Sequence, residues 1–200
     1  MSTLHTLVQR ATWQEEVKKS RFIAIAQSVQ TPQQAMDFFA DVAVPEARHN
    51  CWAYRIGQHY RFNDDGEPGG TAGRPILQAI DGQQCDQVAV LVVRWFGGIL
   101  LGAGGLMRAY GGCAANALRT AEKMPLLDWA EACFECTFSE LSSVQAKLKS
   151  LGARIQAEDY TASGALLRFQ VLKEDGEALA AWCQDLSRGQ RLLQFVEKPD

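Results

Sequence analysis

Apolar and polar positions follow two different periods along this chain, and each period predicts its own kind of element. Strand-like segments are predicted near the start, at Thr6–Val17 and Arg21–Val29, and a further strand at Asn50–Ile56. Gln87–Phe96 is almost continuously apolar and rich in β-branched residues. Such a run is typical of a strand that is covered on both faces, so we expect it at the centre of a sheet.

Helical spacing appears between these strands. Thr31, Pro32 and Gln34 form an N-terminal signature, a T-x-x-Q capping box with proline in the first turn. The apolar face of this helix is predicted to consist of Met36, Phe39 and Ala40, and the helix to run to about Val44. A short helix is predicted to begin at Pro75. A longer one is predicted over Gly104–Thr120, with its inner face formed by Leu106, Ala109, Tyr110, Cys113 and Ala117.

The second part of the chain has a simpler pattern. Met124–Pro125 marks the predicted boundary between a domain over 1–124 and a domain over 126–200. The elements expected after it are a strand, a helix, two strands joined by a Ser163–Gly164 turn, a helix and a strand. A βαββαβ order is the split, ferredoxin-like arrangement. We therefore predict an α+β protein of two domains.

Composition adds ordinary globular character and an uneven charge. The net charge is −3, and 47% of the residues are hydrophobic. Residues 1–125 carry 12 Lys or Arg against 11 Asp or Glu, whereas residues 126–200 carry 8 against 12. Any surface for nucleic acid must therefore be a local patch of the first half. We expect no membrane segment and a cytoplasmic location.

Glycine is concentrated in one region. Twelve of the 17 glycines lie between Gly66 and Gly112, and all of these except Gly82 belong to the segments FNDDGEPGGTAGRP and VRWFGGILLGAGGLMRAYGG. A glycine loop between a buried strand and a helix can offer backbone N–H groups and a helix dipole to an anion. The loop lacks the lysine of a P-loop, because Ala103–Gly104 stands in its place, and it contains no G-x-G-x-x-G. Tight-turn packing is the alternative interpretation of these glycines.

Acidic residues open the first of these segments. Asp64, Asp65 and Glu67 precede a Pro-Gly-Gly turn, where carboxylates could order the loop through their own hydrogen bonds. The same groups could instead hold a divalent cation such as magnesium, most directly at Asp64 and Asp65, or assist hydrolysis. No EF-hand spacing supports a metal here, and no other cofactor is expected.

Arginines and aromatic residues are interleaved through the first half. The basic set is Arg48, His49, Arg55, Arg61, Arg74, Arg94 and Arg108, and the aromatic set is Trp52, Tyr54, Tyr60, Phe62, Trp95, Phe96 and Tyr110. Arginine forms bidentate contacts with phosphate, and aromatic rings stack on unpaired bases, so the mixture suits RNA. Scattered surface arginines and core aromatics explain it equally well.

The cysteines carry little functional signal. Six thiols are scattered through mostly apolar runs, which fits a reducing compartment. Cys133 and Cys136 form a C-x-x-C pair, but residues three apart on a strand point to opposite faces, so packing is the better interpretation. His49 and Cys51 could pair as base and nucleophile, although alternate strand positions more often share a face without any chemistry.

These residues resemble a known family. DDGEPGGTAGRP and VVRWFGGILLGAGGLMRAYGG, preceded by KKSRFIA and ARHNCWAY, resemble the IMPACT family and especially its bacterial two-domain members. The four motifs span most of residues 18–112. The resemblance implies a first domain similar to domain 2 of ribosomal protein S5, and a second similar to ferredoxin-like domains of elongation factor G. Many relatives carry lysine at the position of Leu100.

The resemblance implies a translation-linked role in contact with RNA or the ribosome. Eukaryotic relatives dampen a kinase of translation initiation with the help of an extra N-terminal domain, and that specific role is not transferred to this chain. The resemblance implies no catalytic residue. The residues expected to bind anion or nucleic acid are Arg48, Arg74, Arg94, Gly97, Gly98, Gly102, Gly104, Gly105 and Arg108. Two alternatives remain: a metal-dependent phosphoester hydrolase using Asp64, Asp65 and Glu67, and a regulator that binds a protein partner.

Overall fold

The computed structural model describes residues 3–196. These residues form two compact units, and the division between them falls between Leu126 and Leu127. Within the described residues, the first unit contains the following elements in chain order: β1 (His5–Leu7), β2 (Ala11–Val17), β3 (Ser20–Ser28), α1 (Pro32–Val42), β4 (His49–Ile56), β5 (His59–Asn63), α2 (Gly73–Gly82), β6 (Val88–Trp95), α3 (Ala103–Thr120) and β7 (Lys123–Pro125).

The first unit is built on a five-stranded sheet of order β2-β3-β6-β4-β5, in which every neighbouring pair is antiparallel. β6 lies at its centre, as its apolar run predicts. Val88, Val90 and Val92 pack in one cluster with residues of α2 and α3, while Ala89, Leu91 and Val93 pack in another with residues of α1. The continuous apolar pattern therefore arises because helices cover both faces of β6.

The inner face of α3 is as predicted, because all five of its expected residues are buried. The face predicted for α1 is wrong. Met36 and Ala40 are exposed, and the predicted Phe39 is buried together with Ala35 and Phe38. These three positions follow the same i, i+3, i+4 spacing shifted by one residue.

The second unit has the predicted βαββαβ order. Its elements are β8 (Trp129–Thr137), α4 (Phe138–Ser150), β9 (Arg154–Tyr160), β10 (Gly164–Leu172), α5 (Lys173–Leu186) and β11 (Gln194–Val196). They form an antiparallel sheet of order β11-β8-β10-β9. Cys136 lies in the core beneath α4 and α5, whereas Cys133 is half-buried. No helix within residues 3–196 has the length and apolar character needed to cross a membrane.

Candidate anion and nucleic-acid site

A buried ion pair lies where β6 ends, under the first glycine-rich loop. Nη1 of Arg94 donates to Oε1 of Glu67 at 2.6 Å, and the hydroxyl of Tyr110 on α3 donates to the same oxygen at 2.7 Å. The side chains of Glu67 and Arg94 are 4% and 6% exposed. One carboxylate thus ties the loop both to the central strand and to the longest helix of the unit.

His49 completes this cluster at the start of β4. Its Nδ1 lies 2.7 Å from the backbone oxygen of Asp65, and a carbonyl can only accept, so Nδ1 carries the proton of that hydrogen bond. Its Nε2 therefore faces Oε1 of Glu67, at 3.8 Å. Burial, together with the neighbouring Cys51 and Glu67, raises the pKa of the Tyr110 hydroxyl, which stays a donor at neutral pH.

Cys51 does not act as a nucleophile beside His49. It is fully buried, and its Sγ donates to the backbone oxygen of Asp64 at 3.0 Å. Burial raises the pKa of its thiol to about 12, so the thiolate is essentially absent at neutral pH.

The acidic loop residues are occupied by protein donors. Oδ1 of Asp64 accepts from the backbone N–H groups of Ala72 and Gly73, at 3.0 and 2.8 Å, and its Oδ2 accepts from Gly70 at 2.8 Å. Oδ2 of Asp65 accepts from the N–H of Asn50 at 2.6 Å. These bonds order the loop. Within residues 3–196, no group of three or more His, Cys, Asp or Glu side chains is placed to hold a metal ion.

The second glycine loop ends at the start of α3. Gly102 is the N-cap residue, with a φ of 70°, and it has no side chain to cap the helix. The first N–H groups of an α-helix have no intrahelical partner. Those of Ala103, Gly104 and Gly105 therefore lie at the positive end of an 18-residue helix, where an anion is favoured.

A cavity of about 420 Å³ opens beside this helix start. It is bounded by the start of β4, the acidic loop, the end of β6 and the second glycine loop. Its lining residues are Arg48, His49, Gly66, Glu67, Pro68, Arg94, Phe96, Leu100, Leu101, Gly102, Ala103 and Leu106. The buried ion pair and the start of α3 thus border one concave site.

Two of the predicted anion-binding residues have other roles. Arg94, expected as an exposed phosphate contact, is only 5% exposed and is neutralised by Glu67. Gly97 is a packing glycine, because a Cβ there would overlap the backbone of Lys19 and Ser20, and its N–H donates to Oγ of Ser20. The sequence contains no local signal for the contact of Gly97 with Lys19 and Ser20, which are 77 or more residues away along the chain.

The remaining predicted arginines, Arg48, Arg74 and Arg108, are exposed. They lie along a series of neighbouring surface depressions. Arg48 borders the cavity, and Leu101 of the cavity also lines a second depression that contains Lys18 and Arg108. Arg108 in turn borders a groove between α2 and α3. Arg74 lies one turn before Gln78 of that groove on α2. We call this surface, with Lys18, Arg48, Arg74 and Arg108, the basic track.

Of the two acidic side chains that line the basic track, Glu67 is neutralised by Arg94, whereas Glu15 is hydrogen-bonded to neutral groups. Glu67 accepts from Arg94 and Tyr110, and Glu15 accepts from the indole of Trp13 and the amide of Asn116. Lys18, Arg48, Arg74 and Arg108 outnumber the one charge that Glu15 retains, so the track is positive on balance although the whole chain is acidic.

The aromatic residues divide between the core and the surface. Trp52 and Tyr54 stack in the core beneath α1, and Tyr110 is fully buried. Phe96 is partly exposed at the cavity, and Tyr60 and Phe62 are exposed on β5. The sequence did not predict β5, whose five residues are all exposed.

Both units of the chain are similar to known protein domains. Residues 18–118 match the Impact N-terminal domain. The matched range contains the Glu67–Arg94 ion pair and the four cations of the basic track. The chain belongs to the IMPACT family. Residues 134–190 match a domain of unknown function, DUF1949, which occupies most of the second unit.

Whole-length relatives place it among the two-domain members of the IMPACT family. A Thermus thermophilus IMPACT family member is 48% identical over 176 residues, covering 86% of this chain and 96% of that protein. The Escherichia coli member YigZ is 38% identical, covering 92% and 93%. A crystal structure described as a hypothetical protein aligns over the full length of both chains, with 35% identity and a TM-score of 0.65.

Proposed function

We propose that this IMPACT family protein acts in the cytoplasm as a translation-linked regulator whose first unit binds RNA, in particular ribosomal RNA. The observation that carries the proposal is the basic track, in which the exposed Arg48 and Arg108 lie beside the uncapped start of α3 and the exposed Arg74 lies farther along on α2. Phosphate groups are among the anions that arginine and helix N-termini bind in proteins. RNA presents them in a row, which suits a row of depressions.

The chemistry of the track favours backbone contacts over base reading. Arg48, Arg74 and Arg108 supply the charge, and the N–H groups at the start of α3 supply further donors. Contacts of this kind position a protein on RNA without reading its sequence. The ribosome offers structured RNA at high local density, so a protein of low sequence specificity can use it.

A protein partner is the second candidate function, and one observation favours it. Ile99 and Leu100 at the tip of the second glycine loop are 42% and 83% exposed, and Phe96 beside them is 39% exposed. Exposed apolar residues rimmed by charge are typical of a contact surface. Binding of this kind depends weakly on salt, whereas phosphate contacts depend on it steeply.

The first test is the salt dependence of RNA binding. We expect a single-stranded RNA to bind the wild-type protein with a steep salt dependence, and the Arg74→Glu/Arg108→Glu protein to bind more weakly. Each lost phosphate contact should lower the slope of log K against log salt by about 0.7, hence by about 1.4 for the pair. Fluorescence anisotropy across a salt series measures both quantities.

The matched control is Arg119→Glu/Lys149→Glu. This pair changes the net charge equally at exposed positions outside the basic track. If the control lost binding as much as the track variant, overall charge and not the track would be responsible, and the proposal would be wrong.

A further inference from the structure

The apex of the second glycine loop exposes apolar side chains that the fold itself does not use. Leu100 is 83% exposed, the highest fraction of any large hydrophobic side chain in residues 3–196, and its neighbour Ile99 is 42% exposed. Leu101 and Leu106, which follow in the chain, pack instead against the core formed with α2 and α3. We call Ile99 and Leu100 the apolar tip. Exposed apolar groups of this kind mark contact surfaces.

The loop that carries the apolar tip is anchored at both ends. The N–H of Gly97 donates to Oγ of Ser20 at 3.2 Å, and Gly97 packs against the backbone of Lys19. At the other end, Gly102 is the N-cap residue of α3. A surface that is ordered before binding loses little conformational entropy when a partner arrives. The tip is therefore preorganised for contact.

A recess lies beside the apolar tip. The cavity of about 420 Å³ at the start of α3 is lined in part by Leu100, Leu101, Leu106 and Pro68. The surface thus combines a projecting apolar group with a concavity that can receive one. Protein partners bind most strongly where side chains enter such pockets. A lipid bilayer presents a flat surface and would leave the recess empty.

The charges around the apolar tip are positive on balance. Two depressions share Leu101, and their charged lining residues are Lys18, Arg48, Arg94, Arg108, Glu15 and Glu67. Glu67 neutralises Arg94, so three cations remain against Glu15. Arg48 lies over the ring of Phe96, 5.7 Å from its centroid, which places the guanidinium beside the apolar wall. Complementary charge therefore favours an acidic partner.

We propose that the apolar tip and the recess dock an acidic segment of a protein partner. A bulky apolar side chain of that segment enters the recess, and its carboxylates lie against Arg48 and Lys18. Acidic protein segments carry negative charge and apolar groups within a few residues, whereas the phosphate backbone of RNA offers nothing apolar to cover Leu100. The proposal goes beyond RNA binding by the basic track and does not depend on it, although the two partners would share Arg48.

Selection of peptides from a random display library on the immobilised full chain tests the proposal. We expect the enriched peptides to combine Asp or Glu with Leu, Ile or Phe. The most enriched peptide, synthesised with a fluorescent label, should bind the wild-type protein in an anisotropy titration. Leu100→Ser should weaken this binding by about tenfold or more, because the leucine side chain is no longer buried in the complex. Replacing the acidic residues of the peptide by their amides should weaken it as well.

The matched control is Leu192→Ser, since Leu192 is 63% exposed in the second unit. Both leucines are exposed, so neither replacement should disturb the fold. RNA binding is measured on the same variants. Leu100→Ser should retain it, because phosphate contacts need no leucine, and this readout separates failure of the peptide site from failure of the basic track.

Four results would overturn the proposal. They are the absence of any enriched peptide, enriched peptides that lack acidic or apolar residues, peptide binding by Leu100→Ser like that of the wild type, and an equal loss in Leu192→Ser. Flotation with vesicles of equimolar phosphatidylcholine and phosphatidylglycerol supplies a further comparison. If the wild type floated, Leu100→Ser did not, and neither bound peptide, the tip would bind a lipid surface and the proposed protein partner would be wrong.

Discussion

Replacing Glu67 with alanine is expected to lower the free energy of unfolding of the first unit by about 3–5 kcal/mol. The substitution leaves the guanidinium of Arg94 buried without its counter-ion, and it removes the acceptor of the Tyr110 hydroxyl. Breaking a buried pair from one side is costly because the remaining charge stays out of water. The loop that carries Asp64 and Asp65 also loses its link to β6.

Hydrogen exchange of β6 peptides across a urea series measures this effect on the first unit alone. Glu46→Ala is the control, since Glu46 is exposed in the same unit and should change stability by no more than about 0.5 kcal/mol. A loss below about 1 kcal/mol for Glu67→Ala would contradict the assignment of Glu67 as the anchor of the glycine-rich loop.

Replacing Gly97 with alanine is expected to cost about 3 kcal/mol or more, although it adds a single methyl group. A Cβ at this position would overlap the backbone of Lys19, in the turn between β2 and β3, and of Ser20, where β3 begins. Backbone atoms of a hairpin cannot move aside as a flexible side chain can. The strand end that carries Phe96 would have to separate from the turn.

Gly69→Ala is the matched control from the other glycine-rich loop. No atom lies within 4 Å of a Cβ added at Gly69, and its φ is outside the left-handed region. We expect it to be neutral or slightly stabilising, because alanine restricts the unfolded chain. Thermal unfolding of the two variants compares them directly, and equal melting temperatures would show that the Gly97 contact is not a constraint.

The elements that the sequence predicted well are those whose pattern is local. The apolar run of β6, the inner face of α3 and the βαββαβ order of the second unit each follow from period and turn residues within one segment. β5 was missed although Tyr60 and Phe62 alternate with polar residues, because the segment is only five residues long and buries neither face. The capping box at Thr31 formed in part: its side chain accepts from the N–H of Gln34, whereas Gln34 accepts from Gln30.

The candidate site depends on contacts between distant segments, and the sequence could supply only some of its residues. Arg74 and Arg108 were identifiable as cations close to glycines, and Arg48 as a cation within the ARHNCWAY motif. The burial of Arg94 had a signal, since a charge inside an apolar strand requires a partner. The identity of that partner, Glu67, could not be read from the sequence, because 27 residues separate the two.

The sequence also could not show which glycines are needed for packing and which lie at the candidate binding site. Gly97 and Gly102 lie in the same glycine-rich segment. Gly97 packs against the β2–β3 turn, whereas Gly102 is the N-cap residue of α3 and lines the cavity. The approach of the turn is set by the antiparallel pairing of β3 with β6, which aligns Arg21 with Trp95. Long-range pairing of this kind has no local signature.

Co-sedimentation with purified ribosomes tests the central proposal most directly. The wild-type protein and the Arg119→Glu/Lys149→Glu control should pellet with ribosomes at low salt and be released as salt rises. The Arg74→Glu/Arg108→Glu protein, shown to be folded by its melting temperature, should stay in the supernatant. If all three proteins stayed in the supernatant at low salt, or all three pelleted alike, the basic track would not be a ribosome-binding surface.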